Sequence, residues 1–119
     1  MARPRKFNEG DVLSSAMALF ARRGFTATSL DDLVDATGLL RGSIYKAFGS
    51  KLNIFLTGFT ECVEQFDTTN PQHLDLLTVA LRDLAHEDES TRKLCLQVLS
   101  AHTTSLALNL GNNLLQRLE

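Results

Sequence analysis

Between Ser29 and Lys51 the chain reads SLDDLVDATGLLRGSIYKAFGSK. Its punctuation leaves room for two short helices joined by a tight turn. Ser29 is a good N-cap, and Asp31 and Asp32 put carboxylates into the positive first turn of the helix it opens. Leu30, Leu33 and Val34 form an inward stripe, and Gly38 ends the helix. A second helix, from about Leu40 to Phe48, buries Ile44 and Phe48, four residues apart, before Gly49 stops it. Arg41, Gly42, Ser43, Tyr45 and Lys46 are then left on an outward face. This is the layout of a helix-turn-helix whose second helix enters the major groove of double-stranded DNA.

The remainder of the chain also reads as helix, with no sustained two-residue alternation and no hairpin signal. The fold class expected is all-α. A first helix from Glu9 to Arg23 is capped by Asn8 and carries Val12, Leu13, Ala16, Leu19 and Phe20 on one face. Gly24 is expected to end it in a left-handed conformation. Ser50 caps a fourth helix, about Lys51 to Thr68, with a seam of Phe55, Phe59, Cys62 and Phe66. Asn70-Pro71 breaks the chain. A fifth helix, about Gln72 to His86, shows an inward row of Leu74, Leu77, Leu81 and Leu84. After the acidic bend Glu87 to Ser90, a sixth helix starts near Thr91. Gly111 is expected to interrupt the run of Leu106, Leu108 and Leu110, and Asn112 to Glu119 to begin one more helix.

Major-groove binding needs small or polar residues at the leading end of the helix. Arg41 and Lys46 suit guanine acceptors or phosphates, and Ser43 offers a short hydroxyl. Gly42 costs a helix roughly 1 kcal/mol relative to alanine. It makes sense where the helix must approach DNA or a neighbouring element closely, or where a first turn frays. Lys51, in the first turn of the fourth helix, is a candidate phosphate ligand together with the free backbone donors there. Thr28 and Ser29 are candidates for a similar contact. Arg3, Arg5 and Lys6 form a basic arm that suits the DNA backbone or a minor groove.

Charge separates the chain into halves. The net charge is −2 overall, but residues 1–51 carry +3 and residues 52–119 carry −5. Such asymmetry suits one half facing a polyanion and the other facing solvent or partners. The domain division expected is therefore 1–51 for DNA binding and 52–119 for a helical half facing solvent or partners. No apolar run reaches the ~18 residues a membrane helix needs, and the basic N-terminus lacks the apolar stretch of a signal peptide. A cytoplasmic protein without membrane partners is expected. Cys62 and Cys95 are 33 positions apart, and His73, His86 and His102 are scattered. Neither set has metal-site spacing, so buried reduced thiols, no metal and no cofactor are expected. No nucleophile–base pair or phosphate-cradling glycine loop is visible, so an enzyme ranks last.

From Phe7 to Phe59 the chain resembles the N-terminal domain of the TetR, or tetracycline-repressor-like, transcriptional regulators. The resemblance rests on Ala16, Leu19-Phe20, Gly24-Phe25, Thr28-Ser29, Gly38, Arg41-Gly42-Ser43-Ile44-Tyr45, Phe48 and Ser50-Lys51, in order and at the family's spacing. It implies an all-helical homodimer in which three N-terminal helices bind an operator half-site. The fourth helix would link that head to a ligand-sensing half, whose small-molecule effector pulls the two heads out of register with a palindromic site. The resemblance also favours a phosphate contact for Tyr45. Two departures stand out. Leu40 occupies a position that usually holds a capping Ser or Thr, and leucine cannot cap. Family members usually continue for several more helices, including the dimerising pair, and no aromatic follows Phe66 to line a pocket. The leading expectation is a ligand-responsive repressor. The alternative is an interaction protein that pairs with a full-length relative through its Leu-rich helices and modulates that relative's DNA binding.

Overall fold

The computed structural model describes residues 8–118, and no strand occurs among them. Arg3, Arg5 and Lys6 lie outside the described residues. Helix α1 runs Glu9–Arg23, α2 Leu30–Thr37, α3 Arg41–Phe48 and α4 Lys51–Glu64. Helix α5, Pro71–Val79, continues as a π turn at Ala80–Leu84. Then come α6, Glu89–Ala101, α7, Leu106–Leu115, and a 3-10 turn at Gln116–Leu118. No helix among the described residues is long and apolar enough to cross a membrane.

The helix starts are set by local chemistry. Asn8, Ser29, Ser50, Asn70 and Asp88 each place a side-chain oxygen on a backbone N–H in the first turn of their helix. At α2 the arrangement is reciprocal: the Asp32 backbone N–H donates to Ser29 Oγ at 3.0 Å, and the Ser29 N–H donates to Asp32 Oδ2 at 2.9 Å. Pro71 takes the first position of α5, where its missing N–H costs nothing. Among the described α-helices, α3 and α7 start without a side-chain cap.

One hydrophobic core joins the elements. Helix α1 packs against α2, α4 and α5, and α4 against α6. The expected α1 face is buried throughout. Phe20, Phe25, Phe55 and Phe59 form a ladder of rings with neighbouring centroids 5.3–5.7 Å apart. Each such pair contributes about 0.5–1.5 kcal/mol beyond the area it buries. Helices α1 and α4 approach so closely that a Cβ on Gly58 would overlap the Met17 thioether. Cys62 and Cys95 are free and buried, and desolvation pushes their thiols up to about 12 and about 11.

Four expectations are corrected. Helix α4 ends at Glu64, short of Thr68, although Phe66 beyond it still reaches the core. Helix α6 starts at Glu89 rather than near Thr91, because Asp88 caps it through the Thr91 N–H at 2.9 Å. Leu81 is exposed while Leu74, Leu77 and Leu84 are buried. The wide turn sends Ala80 and Leu84 into the core and leaves Leu81 outside. Gly111 does not interrupt: α7 runs through it to Leu115.

Candidate nucleic-acid interface

Helix α2, the turn at Gly38, Leu39 and Leu40, and helix α3 make the helix-turn-helix. Gly38 takes the left-handed conformation, φ 76° and ψ 5°, and its N–H donates to Val34 O. Leu39 is buried and pins the turn, while Leu40 opens α3 with an extended backbone. Within α3 only Ile44 is fully inside, at 1% exposure. Leu33 meets the core from α2, and Phe48 is partly buried against it.

This anchoring fixes what faces outward. Arg41, Gly42, Tyr45 and Lys46 are exposed, and Ser43 is half-buried. They lie along one short helix, as the sequence predicts. Among the described residues, nothing lies within 4 Å of where a Cβ on Gly42 would stand. Packing there does not require that glycine, and close approach to a neighbouring element is ruled out as its reason. The Arg41 guanidinium pairs with the Asp31 carboxylate across the turn, and both side chains are largely in solvent. Such a pair is worth little in water, so it does not commit Arg41.

Two expected phosphate ligands turn inward instead. Thr28 is 0% exposed, and its hydroxyl donates to Gly24 O at 2.6 Å. It ties the loop between α1 and α2 together and cannot reach a phosphate. Lys51 Nζ donates to Phe25 O at 3.0 Å and to Thr28 O at 2.9 Å, and sits 4.2 Å from the centre of the Phe25 ring. Burial lowers its pKa from the ordinary lysine value, with the Asp83 charge opposing that shift. Its role here is to hold the same loop from below. Ser29 remains exposed. Its oxygen caps α2, and its hydroxyl hydrogen stays available to an outside acceptor.

Asp83 completes the arrangement. Its side chain is 10% exposed, and Oδ2 accepts the backbone N–H groups of Phe25 at 2.8 Å and Thr26 at 3.3 Å. The hydrogen bond from Arg82 holds its carboxyl below the usual aspartate range, against the cost of burial, and the two loop N–H groups add to that. Phe25 is thus held at both backbone poles, its N–H by Asp83 and its C=O by Lys51. Gly24 makes room for this. It adopts φ 94° and ψ 169°, an extended region open essentially to glycine alone rather than the left-handed helical one. A Cβ there would lie 2.7 Å from Arg82 Nη2. Sequence reading missed Asp83, because its partners are 57 and 58 positions away and it has no local signature.

Residues 12–57 match the family described as bacterial regulatory proteins, tetR family. Among curated relatives, the chain is 29% identical over 110 residues to the uncharacterized HTH-type transcriptional regulator YezE of Bacillus subtilis (strain 168), covering 85% of this chain and 57% of that protein. It is 39% identical over 61 residues to the HTH-type transcriptional repressor BdcR of Escherichia coli (strain K12), covering 51% and 31%. It is 27% identical over 101 residues to the HTH-type transcriptional activator FasR of Mycolicibacterium smegmatis, covering 76% and 46%. The chain thus spans between about a third and somewhat over half of these relatives. No solved structure matches it. The match covers most of α1, all of the helix-turn-helix and the first half of α4, and over that region the chain is similar to the tetR family of bacterial regulatory proteins.

Proposed function

We propose that this chain is a DNA-binding transcriptional regulator that inserts α3 into the major groove of an operator half-site. The observation carrying this reading is the outward face of α3. Arg41, Gly42, Tyr45 and Lys46 are exposed on a helix whose inward residue is Ile44, within a region that matches the tetR family. In this reading Arg41 and Lys46 take base edges or phosphates, Ser43 and Ser29 offer hydroxyls, and Tyr45 reaches a phosphate oxygen. Residues 1–51 form the head and residues 52–119 the half that regulates it. The protein acts as a repressor, as a homodimer on a palindromic site, in the cytoplasm where the chromosome is. A small-molecule effector bound by the second half releases it. The Asp83 contact supports that last step, since it joins the second half to the loop that enters α2.

The test is selection from a random duplex library, followed by affinity measurement over a salt series. Enrichment of a two-fold symmetric site is expected, with affinity falling steeply between about 50 and 200 mM salt as phosphate contacts release counterions. Salt-independent binding, or no enriched site, overturns the reading.

A second reading has its own support in the exposed leucines Leu96, Leu99, Leu108 and Leu115 on α6 and α7. Through them the chain would pair with a full-length relative and modulate that protein's DNA binding. Mixed with such a relative, it would reduce operator occupancy while showing no operator preference alone.

A further inference from the structure

We propose that Leu40 reads the C5-methyl group of a thymine in the half-site, making base preference at one step depend on an apolar contact. This role rests on the DNA-binding reading and adds a specificity-determining residue to it.

Leu40 breaks two local rules at once. It is the N-cap of α3, with φ −71° and ψ 153°, yet no side-chain oxygen serves the first turn. Its carbonyl does begin the helix, accepting the Ile44 N–H at 3.1 Å. At the same time Leu40 is 76% exposed, although Leu39 beside it is 6% exposed and already fills the core seat of the turn. A serine would relieve both penalties, because it would cap the helix and remove apolar surface from water. The described residues leave most of Leu40 in solvent, and local rules are broken in this way where function requires it.

The surroundings select the partner. Leu40 is flanked by polar and charged groups: Arg41 with its partner Asp31, then exposed Gly42, then Tyr45 and Lys46 further along the helix. Among the described residues, the other exposed large hydrophobic on this helix is Tyr45, which carries a hydroxyl. A protein partner would need a broader patch, and a phosphate or sugar edge offers leucine nothing over serine. The major groove presents hydrogen-bond donors and acceptors and one apolar group, the thymine methyl. Leu40 stands at the leading end of the helix that enters the groove, with no side chain on Gly42 to hold it away.

The experiment uses the full chain and the site recovered by selection. Each thymine is replaced in turn by deoxyuridine, which removes the methyl group and leaves the pairing and hydrogen-bonding edges intact. Affinities are measured for the wild type, Leu40→Ala, Leu40→Ser and Arg41→Ala. One thymine per half-site is expected at which deoxyuridine weakens wild-type binding about four-fold, the worth of one buried methyl group. At that position Leu40→Ala and Leu40→Ser should no longer distinguish the two bases, while Arg41→Ala still does. Thermal unfolding of Leu40→Ser at or above the wild-type temperature separates this from a folding defect. Discrimination that persists in both Leu40 variants, or wild-type indifference to every deoxyuridine, overturns the role of Leu40 and leaves the DNA-binding reading standing. Absence of any enriched site sinks that reading and the Leu40 role with it.

Discussion

Arg41 begins its work already engaged. Its guanidinium rests on Asp31, and both groups are exposed. Under the proposed function, a phosphate approaching Arg41 would meet that carboxylate as a like charge, so Asp31 would oppose the contact. Asp31→Asn is therefore expected to tighten DNA binding several-fold, measured by fluorescence anisotropy at low salt. Weaker binding would mean that Asp31 orients Arg41 rather than competing for it. Gly42 argues the same way from the other side. It is exposed with free space around it, so Gly42→Ala should stabilise the protein by about 1 kcal/mol in urea unfolding. The same variant should bind DNA more weakly, because a methyl group now stands on the approaching face. A gain in both properties would remove the reason for the glycine. These residues are legible because sequence periodicity alone says which side of a short helix is buried. Thr28 and Lys51 are not. What claims them is a loop carbonyl or a π-face, and for Lys51 the carbonyls lie 23 and 26 positions away, where no local pattern reports them.

Helix boundaries follow their caps. Five of the seven α-helices among the described residues begin where a Ser, Asn or Asp oxygen meets a first-turn N–H, and an expectation built on those residues finds most of the starts. The exceptions have physical causes. The π turn after α5 shifts its inward row so that Leu81 faces solvent, and nothing in the repeat of leucines encodes that wide turn. Gly111 lies inside α7 because its cost of about 1 kcal/mol is small beside the burial of Leu106 and the partial burial of Leu110. The π turn also carries Asp83, and so its contact with the α1–α2 loop has a defined acid response. The Asp83 carboxyl titrates below its usual value of 3.8, so its contribution is fully present above that pH. It is lost as pH falls through the lowered folded value. Asp83→Ala should cost about 1–3 kcal/mol near neutral pH, since it leaves the Phe25 N–H without its partner. The gap between variant and wild type should close in acid. Urea unfolding at a series of pH values checks this, and a gap that is constant with pH would mean Asp83 acts through packing alone.

Across the described residues most of the exposed leucines lie on the last elements, Leu40 and Leu81 apart. The core runs from α1 to Leu106 at the start of α7, whereas Leu96, Leu99, Leu108, Leu114, Leu115 and Leu118 are exposed on α6, α7 and the turn after it. Apolar surface gathered this way marks association, and a two-fold pair is the commonest closed arrangement. Sedimentation at tens of micromolar is expected to show self-association, reduced by Leu99→Lys or Leu115→Lys; a stable monomer in the wild type would refute it. The pairing between Phe25 and Asp83 also has a meaning in time. The two residues are 58 positions apart, and ribosomes add about 5–20 residues per second. Phe25 is therefore added to the chain about 3–12 s before the carboxylate that receives its N–H. Until the π turn has been made, the α1–α2 loop has no partner for the N–H groups of Phe25 and Thr26, and the acid that fastens it arrives from a part of the chain synthesised well after it.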